Sequence, residues 1–144
     1  MTTNSSWFFW AALSAVFAAL TTIFAKIGVR DVNSDLATLV RTVIIVFVLT
    51  GFIVFTGKWS NPWVLSSKTW IFLGLSALAT GASWVCYFRG LQIGAASNVA
   101  AVDKFSLVLV AVFAFGFLGE RHSVREWVGI ALIASGVLCM AFKK

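Results

Sequence analysis

Five apolar segments run through the 144-residue chain, and their length limits what it can fold into. A helix rises about 1.5 Å per residue, so about 20 apolar residues cross the roughly 30 Å hydrocarbon core of a bilayer. The segments are residues 7–28, 36–55, 70–91, 97–118 and 126–142. The sequence therefore predicts an all-α fold: a single domain over residues 1–144 that forms a polytopic transmembrane bundle of five helices, with the N- and C-termini on opposite sides.

The composition agrees with a membrane as the solvent. Apolar residues make up 60% of the chain and charged residues 11%, whereas about a quarter of a soluble domain is charged. No basic stretch precedes the first segment, which has spanning length, so we predict a retained helix and not a cleaved signal peptide. We expect a multi-pass integral protein of the plasma (cytoplasmic) membrane.

The connections carry helix boundary signals. Asn33 stands before the second segment, Pro62 lies in the longest connection, and Gly94 marks a tight turn before the fourth segment. Ser123 is followed three residues later by Glu126, the spacing of a capping box for the fifth helix. These signals separate the five predicted helices.

Sequence motifs for catalysis or metal binding are absent. The chain has no Gly-rich phosphate loop, nucleophile elbow or His/Cys cluster, so we predict no enzyme, metal or cofactor. Cys86 and Cys139 lie inside spans and are interpreted as packing residues without a disulfide. His122, in a connection, is predicted to be solvated. The net charge of +6 is scattered over short loops, which anionic lipid explains without a nucleic-acid partner.

The loop charges do not select one orientation. We name the side of the N-terminus side A and the opposite side, where the second segment begins, side B. Each side has four basic residues outside the spans, so the positive-inside rule, which depends on a difference between the sides, predicts no preferred orientation. They are Lys58, Lys68, Arg121 and Arg125 on side A, and Arg30, Arg89, Lys143 and Lys144 on side B. Insertion in both orientations is therefore allowed.

Tryptophans favour side A, with one exception. Six of them fall at side A helix ends or in the longest connection, where indoles rest among lipid headgroups: Trp7, Trp10, Trp59, Trp63, Trp70 and Trp127. Trp84 lies instead near the middle of the third segment, close to Tyr87. Both rings either face lipid as large hydrophobes or line a cavity where they stack on a substrate.

Charges embedded in the spans are costly. Asp103 and Lys104 stand about seven residues into the fourth segment, where a charged residue costs roughly 2.5 to 3.5 kcal/mol. Adjacent helical residues point about 100° apart, which predicts a separate counterpart for each. Lys26 and Arg41 lie at a similar depth from side B. These four residues form one predicted charged layer.

Two interpretations of this layer remain open. Lys26 and Arg89 have stems long enough to snorkel to the headgroups. Arg41 and Lys104 are expected to be buried, either in a structural salt bridge from Asp103 to Arg41 or Lys26, or in contact with a substrate.

The motifs resemble the EamA-type domain of the drug/metabolite transporter superfamily. The resemblance covers nearly the whole chain and includes the segments TTIFAKIGVRDVNSDLATLVRT and WVCYFRGLQIG. A GE motif that closes one helix and a WxGxxLIxxG pattern that follows it match Gly119, Glu120, Trp127, Gly129, Leu132, Ile133 and Gly136. Many members carry proline in the fourth helix, where this chain has Phe105 and Ser106 and so lacks the residue that kinks it. The DKFS sequence there suggests a subgroup of short proteins.

The resemblance implies carriage of small metabolites or drugs by two five-helix repeats of inverted topology. This chain has one such repeat, so a second copy in inverted orientation would complete the transporter. Inverted repeats around a midplane site are a common basis of alternating access. We therefore expect a secondary transporter that works as an antiparallel homodimer of ten helices in the lipid bilayer.

The hypothesis assigns a role to each embedded polar residue. Lys26, Arg41 and Lys104 are predicted to surround an anionic or zwitterionic small-molecule substrate, with Trp84 and Tyr87 stacked on its apolar part. Asp103, the carboxylate well inside a span, is predicted to couple transport to protons or to form a buried ion pair. Glu120 is predicted to organise the turn before the fifth helix, where Ser123 and Glu126 form the cap.

A different function class also fits these residues. A non-transporting membrane subunit or scaffold would use the same internal charges to pair with helices of a partner membrane protein. A channel is less favoured, because the sequence has no acidic ring or filter-like loop. Flux through liposomes that contain the purified protein alone separates a carrier from a subunit.

Overall fold

The computed structural model describes residues 6–141, and they fold almost entirely into helices. The α-helices are α1 (Ser6–Gly28), α2 (Ser34–Phe55), α3 (Ser67–Ile93), α4 (Ala96–Asp103), α5 (Ser106–Phe113) and α6 (Val124–Ala141). A 3-10 turn at Pro62–Val64 lies between α2 and α3, and a π-helical turn at Ala114–Leu118 continues α5. Five segments in this range are long and apolar enough to cross a membrane, with α4, α5 and the π turn together forming the fourth. The predicted all-α fold with five spans is confirmed.

Side-chain caps set where the helices begin. The Asn33 side chain accepts hydrogen bonds from the backbone N–H groups of Asp35 (2.9 Å) and Leu36 (3.2 Å), so α2 begins at Ser34. The Ser66 hydroxyl accepts from the backbone N–H of Thr69 at 3.2 Å, which starts α3 three residues before the predicted position. Such caps satisfy N–H groups that have no partner inside the helix.

A reciprocal capping box begins α6. The Glu126 carboxylate accepts from the backbone N–H of Ser123 at 2.6 Å and from its hydroxyl at 2.9 Å. The N–H of Glu126 in turn lies 3.4 Å from the Ser123 hydroxyl oxygen. The spacing noted in the sequence thus forms the local geometry that the motif describes.

The fourth span tightens between α4 and α5, although it contains no proline. The N–H of Phe105 donates to the carbonyl of Val102 at 2.9 Å, and the N–H of Leu107 donates to the carbonyl of Lys104 at 3.0 Å. Both bonds join residues three apart, the 3-10 pattern that narrows a helix locally. Asp103 and Lys104 therefore lie at an irregular turn and not in a continuous helix.

Gly119 and Glu120 close the fourth span. The carbonyl of Ala114 accepts from the N–H of Gly119 and from that of Glu120, the second at 3.2 Å. Gly119 has a φ of +68°, in the left-handed region that favours glycine over residues with a Cβ. The backbone of Glu120 is thus part of the turn that ends this helix.

The chain divides into two compact units. One is Ile23–Ile93, in which α2 packs along α3. In the other, which contains the described residues outside that range, α4 and α5 both contact α6. Ala111, Ala114 and Val137 are buried in this second unit. Small residues at such positions let membrane helices approach closely.

Candidate solute-binding site

The side B end of the Ile23–Ile93 unit is its best-packed part. Leu91 is fully buried, and Val29 and Phe88 are nearly so. The side-chain amide of Gln92 donates to the carbonyls of Val32 (3.0 Å) and Val29 (3.4 Å). These hydrogen bonds connect the α1–α2 connection to the end of α3 and stabilise the side B end of the unit.

Lys26 also connects helices at the side B end of this unit. Its ammonium group donates a hydrogen bond to the carbonyl of Leu91, near the end of α3. That carbonyl belongs to the last turn of the helix, where backbone acceptors lack intrahelical partners and cations are favoured. Lys26 is thus directed to a backbone acceptor within the unit, and its predicted contact with substrate stays a prediction.

Asp35 and Arg89 form an ion pair that the sequence reasoning missed. The guanidinium of Arg89 donates from Nε to Oδ1 of Asp35 at 3.0 Å and from Nη2 to Oδ2 at 2.7 Å. The two parallel hydrogen bonds orient the Arg89 and Asp35 side chains relative to each other as well as pairing their charges. One signal could have found it: Asp35 starts α2 and Arg89 lies near the end of α3, so both stand at side B with opposite charges.

A groove of about 600 Å³ runs between α2 and α3, within the Ile23–Ile93 unit. Its polar lining consists of one carboxylate, four hydroxyls and one indole: Asp35, Thr38, Thr42, Ser76, Thr80 and Trp84. Leucine, alanine, valine and glycine complete the wall. The volume lies within the range of about 300 to 1,000 Å³ that is typical of small-molecule sites.

The threonine hydroxyls of the groove are turned to their own helices. Thr38 donates to the carbonyl of Ser34, Thr42 to that of Thr38, and Thr80 to that of Ser76, each at 2.8 Å. Since the hydroxyl protons are used in this way, these side chains present oxygen acceptors to the groove.

Arg41 lies against aromatic rings next to the groove. Its guanidinium carbon is 4.3 Å from the centroid of the Trp84 ring and 5.5 Å from that of Phe88. The side chain is half-buried, and within the described part of the chain its guanidinium makes these ring contacts and no hydrogen bond. Trp84 lines the groove as predicted, whereas Tyr87 is half-buried and not part of its wall. Arg41 therefore keeps donors for an anion close to Trp84.

Asp103 and Lys104 belong to the other unit, where they contact each other. The Lys104 ammonium lies 3.5 Å from Oδ2 of Asp103, with the side chains 54% and 37% exposed. The sequence reasoning predicted a separate counterpart for each charge, on the assumption of a regular helix. The irregular turn and the long lysine stem let adjacent side chains meet instead. The salt bridge from Asp103 to Arg41 or Lys26, and contact of Lys104 with substrate, stay predictions.

Three further residues differ from the sequence interpretation. His122 is partly enclosed and not freely solvated: its Nε2 atom is buried without a hydrogen-bond partner among the described residues, and its ring meets Trp127 edge to face at 5.6 Å. Cys86 and Cys139 are free thiols, but both are exposed on helix surfaces and not packed within the chain. A periodic pattern cannot tell which side of an apolar helix a neighbour will cover.

Comparisons with known proteins agree with the membrane architecture. A protein of Sinorhizobium sp named "Uncharacterized transporter in cobO 3'region" is 53% identical over 138 residues, which cover 96% of this chain and 98% of that protein. The "Uncharacterized transporter YxxF" of Bacillus subtilis (strain 168) is 26% identical over 129 residues, which cover 89% of this chain and 40% of that protein.

A third relative is described as a subunit. The "Probable 4-amino-4-deoxy-L-arabinose-phosphoundecaprenol flippase subunit ArnE" of Yersinia pestis (strain Pestoides F) is 31% identical over 70 residues, which cover 49% of this chain and 61% of that protein. No solved structure matches the chain. The profile of the EamA-like transporter family matches residues 5–142. With five spanning helices and a family match over nearly its whole length, this multi-pass integral membrane protein belongs to the EamA-like transporter family.

Proposed function

We propose that the protein is a secondary transporter of small molecules that works by alternating access as an antiparallel homodimer. A relative of nearly the same length is named a transporter, which supports a function for a single five-helix repeat. The match to YxxF covers 40% of that longer chain, which leaves room there for a second repeat. In the short protein, a second copy in inverted orientation takes that place.

The proposal depends most on Arg41, whose guanidinium lies inside a span against two aromatic rings. An arginine inside a span costs roughly 2.5 to 3.5 kcal/mol, and a ring contact returns about 0.5 to 2 kcal/mol depending on how dry it is. The two rings therefore offset part of the cost but satisfy none of the guanidinium N–H donors. A carboxylate or phosphate group of a solute would satisfy them with two parallel hydrogen bonds.

The other unit supplies the second half of the proposed mechanism. Asp103 is the proposed proton-coupling group of that unit, and Lys104, which contacts it, is its proposed substrate contact. Transport coupled to a pH gradient then depends on Asp103. The variant Asp103→Asn should lose this coupling and retain substrate binding, and an unchanged pH dependence would leave Asp103 with a structural role alone.

A reconstitution experiment tests transport itself. Purified protein alone in liposomes is supplied with a mixture of carboxylate, phosphate and zwitterionic metabolites, and uptake is measured by mass spectrometry. We expect uptake of anionic or zwitterionic solutes that is lost in Arg41→Gln. The matched control is Lys58→Gln, which removes one positive charge from the connection before the 3-10 turn. Equal uptake by Arg41→Gln and Lys58→Gln would contradict the role of Arg41.

A subunit of a larger transporter is the second candidate, and the printed name of one relative favours it. ArnE is called a flippase subunit, which implies a partner for that protein. Applied to this chain, the idea is that the inverted half comes from a different polypeptide. Flux that appears only when a second membrane protein is added would support this candidate and end the homodimer proposal.

A further inference from the structure

The lining of the α2–α3 groove is poor in hydrogen-bond donors. Three of its four hydroxyl side chains donate to their own helix backbone, and the remaining wall is aliphatic apart from Asp35 and Trp84. A buried polar group without a partner costs at least about 1 to 3 kcal/mol. A solute with many acceptors, such as an organic polyacid, would therefore be bound poorly along this wall, whereas an apolar chain would lose nothing there.

Positive charge is available beside the groove, at Arg41, which contacts the Trp84 ring of its wall. The Asp35 carboxylate is matched by Arg89 with two hydrogen bonds, so this pair adds no net charge to the groove. Arg41 is held against Trp84 by ring contacts and retains its N–H donors. The groove thus has one anion-binding group beside it, at Trp84, and a mostly apolar wall toward Leu73.

The groove crosses the middle of the third span. From Trp84 to Leu73 it follows α3 for about 17 Å, at about 1.5 Å per residue. Trp84 lies nine residues before the end of α3 at side B, and Leu73 lies six residues after its start at side A. A headgroup at Arg41 with its chain toward Leu73 would therefore lie near the middle of the span, with the chain directed to side A.

We propose that the substrate of the groove is an amphiphile with one anionic headgroup, a phosphate or carboxylate bound by Arg41 at Trp84, and an apolar chain that lies between α2 and α3. This inference rests on the proposed function and adds the class of substrate. It commits to a lipid-like ligand and not to a second copy of the chain or a water-soluble metabolite as the occupant.

Quenching of Trp84 fluorescence measures binding at this position. The probe is dodecyl phosphate with bromine on the second carbon of its chain, because bromine quenches an indole on contact. The signal from Trp84 is the difference between the wild type and Trp84→Phe, measured in neutral detergent. Brominated dodecyltrimethylammonium is the cationic probe with the same chain, and inorganic phosphate is the competitor without a chain.

Two substitutions separate the headgroup from the chain. Arg41→Gln removes the anion-binding group, while Gly81→Leu fills the groove wall at a helical position where an added Cβ meets nothing within 4 Å. The matched controls are Lys58→Gln, which removes a charge elsewhere, and Gly74→Leu, which adds the same side chain to α3 outside the groove lining at an equally open position. The last two variants show the effect of losing a charge, or of adding a leucine, elsewhere in the chain, and circular dichroism of each test variant checks that it is folded.

We expect dodecyl phosphate to bind about 10- to 100-fold more weakly to Arg41→Gln, the range for loss of a charge-assisted hydrogen bond. Gly81→Leu should bind the same probe more weakly, both controls should bind it as the wild type does, and brominated dodecyltrimethylammonium should quench Trp84 far less. If inorganic phosphate at equal concentration displaces dodecyl phosphate, the proposal of an amphiphilic substrate is wrong. Arg41 would then remain an anion-binding residue of the proposed transporter. Equal quenching by both headgroups, or a Gly81→Leu variant that changes dimerisation without changing quenching, would also overturn the inference.

Discussion

The contact between Arg41 and Trp84 makes a prediction about stability that does not need the substrate. A guanidinium 4.3 Å from an indole centroid is within cation–π range. Such contacts contribute about 0.5 to 1 kcal/mol when exposed and about 2 kcal/mol when desolvated. Since Arg41 is half-buried, we expect a coupling free energy of about 1 to 2 kcal/mol between the two side chains.

A double-mutant cycle measures that coupling. Arg41→Gln, Trp84→Leu and the double variant are compared by reversible unfolding in mixed detergent micelles, followed by circular dichroism. The matched control cycle replaces Arg41→Gln with Lys68→Gln, because Lys68 lies on the same helix as Trp84 but about 24 Å away along its axis. We expect the control pair to be additive within about 0.3 to 0.5 kcal/mol.

Additivity in the Arg41 cycle would show that the ring contact does not stabilise the protein. If the Arg41 cycle is as additive as the Lys68 cycle, the rings do not hold the guanidinium, and the explanation for an arginine in this span fails. A third variant refines the result: Trp84→Phe keeps an aromatic face with a weaker attraction for cations, so its coupling to Arg41 should fall between those of tryptophan and leucine.

Three further predictions concern the fold and its insertion. Gly119→Ala should destabilise the protein by about 1 to 2 kcal/mol, because φ is +68° there, whereas Gly129→Ala in regular helix should not; thermal unfolding distinguishes them. Leu91→Ala should cost about 2 to 5 kcal/mol in the same assay because Leu91 is fully buried, while Leu78→Ala, at a position 73% exposed, should cost far less. In a background without the native cysteines, Ser60→Cys should react with a membrane-impermeant maleimide from both sides of the membrane, and labelling from one side alone would exclude antiparallel pairing of two copies.

The helices were predictable from local information. Spans follow from apolar length, and starts follow from side chains that cap their own helix, as at Asn33 and Ser123. α3 extends beyond its predicted start because the Ser66 hydroxyl adds a cap upstream of the apolar stretch. Errors of this kind are small, since a cap acts within a few residues.

The candidate site was only partly predictable because it depends on how helices pair. The sequence marked Arg41 and Trp84 as unusual but gave no sign that they touch, since α2–α3 packing is not encoded in either helix alone. Asp35 was overlooked because an acidic residue is common in the first turn of a helix. Its pairing with Arg89 appears only when the two side B ends are brought together.

The irregular turn at Asp103 and Lys104 shows a different limit. Proline is the familiar signal for a break in a membrane helix, and this span contains none. The structure tightens there through bonds between residues three apart. The prediction of a separate counterpart for each charge assumed a regular helix; in the structure the two side chains contact each other, and their further partners stay a prediction.

The most direct test of the account is whether the groove is used during transport. For any solute that the purified protein carries, the Trp84 difference signal and the transport rate should saturate at the same solute concentration. Arg41→Gln should shift both curves together. Transport that saturates normally while Trp84 shows no response, or that is unaffected by Arg41→Gln, would contradict the assignment of the α2–α3 groove as the solute site.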